Sequence, residues 1–153
     1  GTVKLFSTAV NHPNGLALSQ DESVMYVAKI FKTIRPVVMD DSIWKVPLQD
    51  GKPIGGAELI ASTGLDAAND GLAMDVQGRI YICANRIGKI IRLDPETGEL
   101  KTLAENMYGS ASIAFGEGDF DHESLYVATT NSRGRGGQIF RVPVGVKGAK
   151  LNR

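Results

Sequence analysis

Two residues at matching places in the chain carry oxygen atoms suited to chemistry. Asn14 opens the run Asn14-Gly-Leu-Ala-Leu-Ser19, and Asp70 opens the run Asp70-Gly-Leu-Ala-Met-Asp75. An amide oxygen and a carboxylate brought together form a hard, oxygen-only site, which suits Ca²⁺, Mg²⁺ or Mn²⁺ better than thiophilic metals. A cation held there polarises a carbonyl and lowers the pKa of a bound water, with Asp70 serving as both ligand and general base. The same dipeptides, Asn-Gly and Asp-Gly, are also ordinary turn formers that lead a chain into a strand. Which reading applies depends on whether the fold brings the two residues together.

The elements around them repeat. Gly15-Leu-Ala-Leu-Ser19 matches Gly71-Leu-Ala-Met-Asp75 and, more loosely, Ser112-Ile-Ala-Phe-Gly116. Each is followed by a second run: Met25-Tyr-Val-Ala28, Ile80-Tyr-Ile-Cys83 and Leu125-Tyr-Val-Ala128. A third run follows again: Ile43-Trp-Lys-Val46, Ile90-Ile-Arg-Leu93 and Ile139-Phe-Arg-Val142. All are short, rich in Val, Ile, Leu and Tyr, and bounded by turn formers such as Gln77-Gly78 and Pro95-Glu-Thr-Gly98, the mark of strands joined by hairpins. A fourth strand is expected at Ala57–Ser62 and at Glu99–Ala104. No helical periodicity is sustained beyond about three turns.

Four strands per repeat at a period of roughly 45–55 residues is the arithmetic of a β-propeller blade. The expected fold is therefore all-β, a β-propeller of three four-stranded blades spanning approximately 9–62, 65–104 and 108–143, with an outer strand at Val3–Ser7. A β-sandwich uses similar strands but does not ordinarily repeat one motif three times in phase. Propellers close with four to eight blades, so three blades read as half of a ring with exposed edges.

Composition narrows the function classes. The 153 residues hold 17 Lys+Arg against 17 Asp+Glu, so no net charge draws the chain to nucleic acid. No apolar run reaches the roughly 18–20 residues of a membrane span. Cys83 is the sole cysteine, which excludes an internal disulfide and a Cys-rich zinc site. It reads as a small buried residue compatible with a reducing compartment, and a cytoplasmic location is the expectation. His12 and His122 sit in turn-like segments and read as surface residues. Ser110 and Ser112 lack the G-x-S-x-G setting of a serine nucleophile.

Taken in order, the motifs resemble the regucalcin (senescence marker protein)/gluconolactonase/lactonase-like family. His12-Pro-Asn-Gly-Leu-Ala-Leu-Ser19 is similar to that family's blade start. Asn69-Asp-Gly-Leu-Ala-Met-Asp-Val-Gln-Gly-Arg-Ile-Tyr81 and Arg92-Leu-Asp-Pro-Glu-Thr-Gly98 are similar to its following strands and hairpin, and Gly136-Gly-Gln-Ile-Phe-Arg141 to its last blade. The resemblance covers only the C-terminal half of a six-bladed member. It implies a divalent metal at the mouth of the central channel, Ca²⁺ foremost with Mg²⁺, Mn²⁺ or Zn²⁺ as other occupants, and hydrolysis of a lactone or related ester. Asn14 and Asp70 match the family's Asn and Asp ligands. The family's N-terminal Glu ligand and substrate-contacting residues have no counterpart here. Ala111 stands at the equivalent place in the third unit and cannot ligate. Asn69 replaces the usual Pro before the Asp, which relaxes the backbone there.

If the first strand of each unit starts at the metal face, the links between second and third strands lie beside Asn14 and Asp70. These links, Lys29–Asp41, Ala84–Gly88 and Thr129–Gly136, carry Lys29, Lys32, Arg35, Arg86, Arg133 and Arg135 against Asp40 and Asp41. A basic rim attracting an anionic small-molecule substrate is one expectation, and ordinary solvated loop charge the other. Lys29–Asp41 is long for a hairpin link and is the lid candidate. A half ring is most economically repaired by a two-fold homodimer that rebuilds six blades. The alternatives are a binding or interaction module that keeps the scaffold without the chemistry, and an excised part of a full six-bladed enzyme.

Overall fold

The structure, a computed structural model, describes residues 1–64, 66–130 and 137–150. The described residues form strands and turns without an α-helix. Short runs of β-branched and aromatic residues, cut every few positions by Gly, Asp or Pro, cannot sustain a helix but suit a pleated ladder.

Three antiparallel sheets follow one another along the chain. The first contains β1 (Pro13–Leu18), β2 (Val24–Lys29), β5 (Ser42–Gln49) and β7 (Glu58–Ser62), with the short β6 (Lys52–Pro53) beside β5. The second runs β8 (Asn69–Met74), β9 (Ile80–Ala84), β10 (Lys89–Leu93) and β11 (Leu100–Ala104). The third runs β12 (Ser110–Phe115), β13 (Ser124–Thr129) and β14 (Gln138–Pro143). A small separate hairpin, β3 (Phe31–Ile34) with β4 (Val37–Met39), is inserted between β2 and β5. The expected fourth strands are present as β7 and β11. Residues 1–8 form no strand within the chain, and Val3 and Leu5 are 97% and 82% exposed.

Register explains how the sheets stack. In the first sheet Ala17, Tyr26 and Lys45 lie across from one another, as do Ala28 and Ile43. In the second, the same rows are Ala73, Tyr81 and Arg92, and Cys83 with Ile90. These rows make one face of each sheet, here called the leading face. Alternation puts the other set on the trailing face: Leu72, Ile82 and Ile91, with Met74, Ile80 and Leu93, in the second sheet. One core packs the leading face of sheet one (Tyr26, Ala28, Ile43) on the trailing face of sheet two. A second core repeats this between Tyr81, Cys83 and Ile90 and the Ile113, Leu125 and Val127 of sheet three. Each core burying several large aliphatic side chains at about 1.5–3 kcal/mol apiece is the main force holding neighbouring sheets together. The segment after β14 returns to sheet two: Gly148 bridges Asp75, the Val76 amide donates to the Lys147 carbonyl at 3.0 Å, and the Ala149 amide donates to the Met74 carbonyl at 2.8 Å. Cys83 is buried as expected, and that burial, reinforced by the nearby charge of Asp70, pushes its thiol up to about 12.

Candidate functional site

The first strand of each sheet carries a bulge at its start. Register breaks between Pro13 and Leu16 in β1, between Asn69 and Leu72 in β8, and between Ser110 and Ser112 in β12. The residues inside the breaks are Asn14-Gly15, Asp70-Gly71 and Ala111. A bulge lifts one residue out of the ladder and re-aims its side chain, so the chain places Asn14, Asp70 and Ala111 at the same point of three neighbouring strands.

Those strands touch because glycine follows the site residue. A Cβ on Gly15 would sit 2.0 Å from the Asp70 carbonyl oxygen and 2.8 Å from the Leu72 nitrogen. A Cβ on Gly71 would sit 2.5 Å from the Ala111 carbonyl oxygen. The glycine of each Asn/Asp-Gly pair is therefore a close-approach residue between sheets and not merely a turn former. Gly15→Ala is expected to cost about 1–3 kcal/mol through the forced separation of β1 and β8, measured by urea unfolding. It should also weaken divalent-cation binding, measured by calorimetry, because the same separation moves Asn14 away from Asp70.

Asp70 sits between two asparagines. The Asn85 amide nitrogen donates to Asp70 Oδ2 at 3.1 Å. Burial pushes the Asp70 carboxyl above the ordinary carboxylate value, and hydrogen bonding from the Asn85 and Asn14 side chains offsets part of that shift. Asn85 was not visible in the sequence as a site residue. Its repeat counterparts are Ile30 and Thr130, so no amide recurs at that point to flag it. Asp70 has no ion pair among the described residues. A half-buried carboxylate served only by neutral amides is a fitting receptor for a hard cation. The number of donors is smaller than such an ion wants: Ca²⁺ takes 6–8 oxygens, and the described residues hold no group of three or more His, Cys, Asp or Glu placed to hold a metal ion.

Asn69 is fully buried, with its Oδ1 accepting from Thr63 Oγ1 at 2.9 Å. The residue in the usual proline's place thus ties the entry of β8 to the end of β7.

The rim residues divide. Lys29 is partly buried, its side chain 12% exposed, and ion-paired to buried Asp40 at 3.2 Å, and Asp40 is held further by the Ser42 amide at 2.8 Å and the Ser42 hydroxyl. Lys29 closes the base of the β3–β4 insertion, with its charge engaged by Asp40. Arg86 is exposed and lies 3.7 Å from Asp66. Arg35 is exposed at the hairpin tip, beside Pro36. Arg133 and Arg135 lie outside the described residues. The lid candidate is an ordered hairpin, anchored by the Ile30 amide on the His12 carbonyl at 3.4 Å and by an edge-to-face contact of His12 with Phe31 at 6.5 Å. A cavity of about 690 Å³ lies at the opposite ends of these strands, lined by Val76, Phe115, Glu117, His122 and Lys147, so it is separate from Asn14 and Asp70.

Residues 1–131 match the model of the SMP-30/Gluconolactonase/LRE-like region. The chain belongs to that family. It is 28% identical to regucalcin from Bos taurus over 155 aligned residues, covering 95% of this chain and 50% of the relative. It superposes on a luciferin-regenerating enzyme with a TM-score of 0.71 at 19% identity, covering 99% of this chain and 52% of the other. It superposes on a calcium-binding regucalcin from Agrobacterium tumefaciens with a TM-score of 0.69 at 23% identity, covering 92% and 49%. A gluconolactonase from Xanthomonas campestris gives a TM-score of 0.64 at 20% identity, covering 88% and 38%. The family member described here spans about half the length of the curated relatives it matches. The structural likenesses establish the all-β, propeller-like arrangement of its sheets.

Proposed function

We propose that the chain is half of a six-bladed propeller and hydrolyses a lactone or related ester at a divalent cation held by Asn14 and Asp70. The observation that carries this reading is the convergence of Asn14 and Asp70 at bulges of adjacent inner strands, with Asn85, just past the end of β9, donating to Asp70 and no cationic side chain among the described residues pairing the carboxylate. When bound, the cation would polarise the lactone carbonyl and acidify a water. Asparagine can present either end of its amide, so Asn14 donates to Asp70 without an ion and would turn its oxygen towards one. Asn85 keeps the carboxylate oriented through Oδ2. The raised proton affinity of Asp70 suits it to accept a proton from the attacking water. Of the rim residues described, Lys32 and Arg35 remain without an ion pair to meet an anionic substrate.

The test is hydrolysis of a panel of neutral and acidic sugar lactones by the metal-stripped chain, with Ca²⁺, Mg²⁺, Mn²⁺ or Zn²⁺ restored in turn. Cation-dependent turnover of a lactone is the expected result. A second reading, a binding module without catalysis, is favoured by the small donor set. It predicts cation-independent behaviour and no heat of cation binding in calorimetry.

A further inference from the structure

We propose that Thr63 and Asn69 are positioning residues for the site: a hydrogen-bonded strut, running from the base of the β3–β4 hairpin through the β7–β8 link, sets where Asp70 stands. The inference rests on Asp70 being the working carboxylate of the reading above. Every group in the strut lies between the first and second sheets of this chain. Asn69 stands in front of the bulge that lifts Asp70 out of the ladder. It is 0% exposed, its Oδ1 accepts from Thr63 Oγ1 at 2.9 Å, and its Nδ2 has no hydrogen-bond partner among the described residues. A buried amide with one donor unserved costs stability that an apolar residue in its place would not. The bond from Thr63 is therefore what fixes the Asn69 side chain, one peptide away from Asp70.

Thr63 is itself held from the hairpin side. Its amide donates to the Asp41 carbonyl at 2.8 Å, and its hydroxyl also reaches that carbonyl at 3.2 Å. Asp41 follows Asp40, whose carboxylate takes Lys29 at 3.2 Å where the chain leaves β2 for the hairpin. The Asp40 carbonyl accepts the Ala68 amide at 2.8 Å. Ala68 stands at φ 54°, a left-handed conformation that a residue with a Cβ keeps only where its surroundings impose it. Its own carbonyl accepts the Asn85 amide at 3.3 Å, and Asn85 is the residue whose side chain donates to Asp70. The link thus fixes the carboxylate from two sides, through Asn69 before it and through Asn85 across the ladder. The third sheet supplies the comparison. Its backbone repeats the link: the Gly109 amide donates to the Asn85 carbonyl at 3.0 Å, and the Thr130 amide to the Gly109 carbonyl at 2.7 Å. Its side chains do not. Ser110 stands at Asn69's place, no hydrogen bond joins its hydroxyl to the link before β12, and the next residue is Ala111, which has nothing to aim. The side-chain strut is present where a carboxylate follows and missing where one does not.

The experiment compares Thr63→Val, which keeps the shape of the side chain and the amide bond to Asp41, with Thr63→Ser, which restores the hydroxyl, and with Asn69→Leu. Two quantities are read on the full chain: the side-chain amide resonances of Asn85 in EDTA, and Ca²⁺ affinity by calorimetry. In Thr63→Val the Asn85 resonances should move and Ca²⁺ should bind about 10-fold more weakly, the lower end of the roughly 10- to 100-fold that a partner behind a ligand is worth. Thr63→Ser should return both to wild type. Asn69→Leu should weaken Ca²⁺ binding within that same range of about 10- to 100-fold, with an unchanged far-ultraviolet spectrum. Ser62→Ala removes an exposed hydroxyl that donates to the Asp41 carboxylate at 2.9 Å without touching Asn69, and should move neither quantity. Unmoved Asn85 resonances in Thr63→Val overturn the proposal, and so does a change of the same size in Ser62→Ala. Wild-type Ca²⁺ affinity in both Thr63→Val and Asn69→Leu overturns it too. A wild type that binds no cation defeats the cation reading and leaves the Asn85 resonances to decide the strut, so the two fail separately.

Discussion

Asp70→Ala is expected to abolish divalent-cation binding and, with it, cation-dependent lactone hydrolysis. The loss should exceed the roughly 10- to 100-fold that removal of a partner behind a ligand costs, and Asn85→Ala should fall within that smaller range. The discriminating measurement is stability without cation. A structural Asp of a turn stabilises the fold, so removing it lowers the melting midpoint. Asp70 is different, because burial raises its carboxyl above the ordinary value. The folded chain then holds that proton more tightly than the unfolded chain. Its contribution to stability is fully present below the unfolded-chain pKa and is lost as pH rises through the higher folded value. In EDTA at neutral pH the ionised, half-buried carboxylate is a burden, and Asp70→Asn should melt at the same temperature as wild type or higher. Added Ca²⁺ should reverse the order, stabilising wild type alone by binding the native state. An Asp70→Asn variant that melts lower in EDTA, and binds cation as wild type does, would return Asp70 to the role of a turn residue.

Much of this site was legible because its parts recur. The three Tyr-centred runs and the Ile-x-(Lys/Arg) runs mark β2, β9, β13 and β5, β10, β14, and their regular order is enough to place Asn14 and Asp70 at one level. What recurs in sequence is what every sheet needs, namely inward rows and turn chemistry. What escaped is what one sheet needs alone. Asn85 reaches Asp70 from a position filled by Ile30 and Thr130 elsewhere, so periodicity gave it no weight. Lys29 reads as a loop cation, and its charge is real. The β3–β4 hairpin turns the chain back so that Asp40 meets it at 3.2 Å, a pairing that depends on the insertion's own fold. The glycines after Asn14 and Asp70 read as turn formers, because a sequence shows backbone freedom more readily than the lack of space beside a neighbouring strand. Val3–Ser7 has the composition of a strand but finds no ladder within the chain, since composition sets what a segment can pair with and topology sets whether a partner is near.

The largest loss of stability is expected from Asp75→Ala, at the other end of β8. The Asp75 carboxylate is 0% exposed and accepts four hydrogen bonds. Its Oδ1 takes the amides of Gln77 at 2.8 Å and Arg79 at 3.0 Å, and its Oδ2 takes Arg79 Nε at 2.7 Å and the Tyr81 hydroxyl at 2.9 Å. Deleting it strands two turn amides, a phenol and a guanidinium, and breaking a buried pair in this way costs about 3–5 kcal/mol. The lower end is the better expectation, because the Arg79 side chain is 21% exposed and regains water. Against a total stability on the order of 5–15 kcal/mol, that is enough to shift a urea midpoint plainly. Tyr81→Phe removes one donor of four and leaves the carboxylate served, so about 0.5–1.5 kcal/mol is expected. The two variants also differ with pH. Burial, then the hydrogen bond and charge of Asp75, raise the Tyr81 hydroxyl well above its ordinary value. That group's contribution is fully present below the unfolded tyrosine value near pH 10 and is lost as pH climbs above it. Wild type should therefore lose stability on the alkaline side more steeply than Tyr81→Phe. Equal alkaline slopes in the two proteins would show that the Asp75–Tyr81 contact does not hold the turn, and would leave the ion pair with Arg79 as the feature that closes β8 to β9.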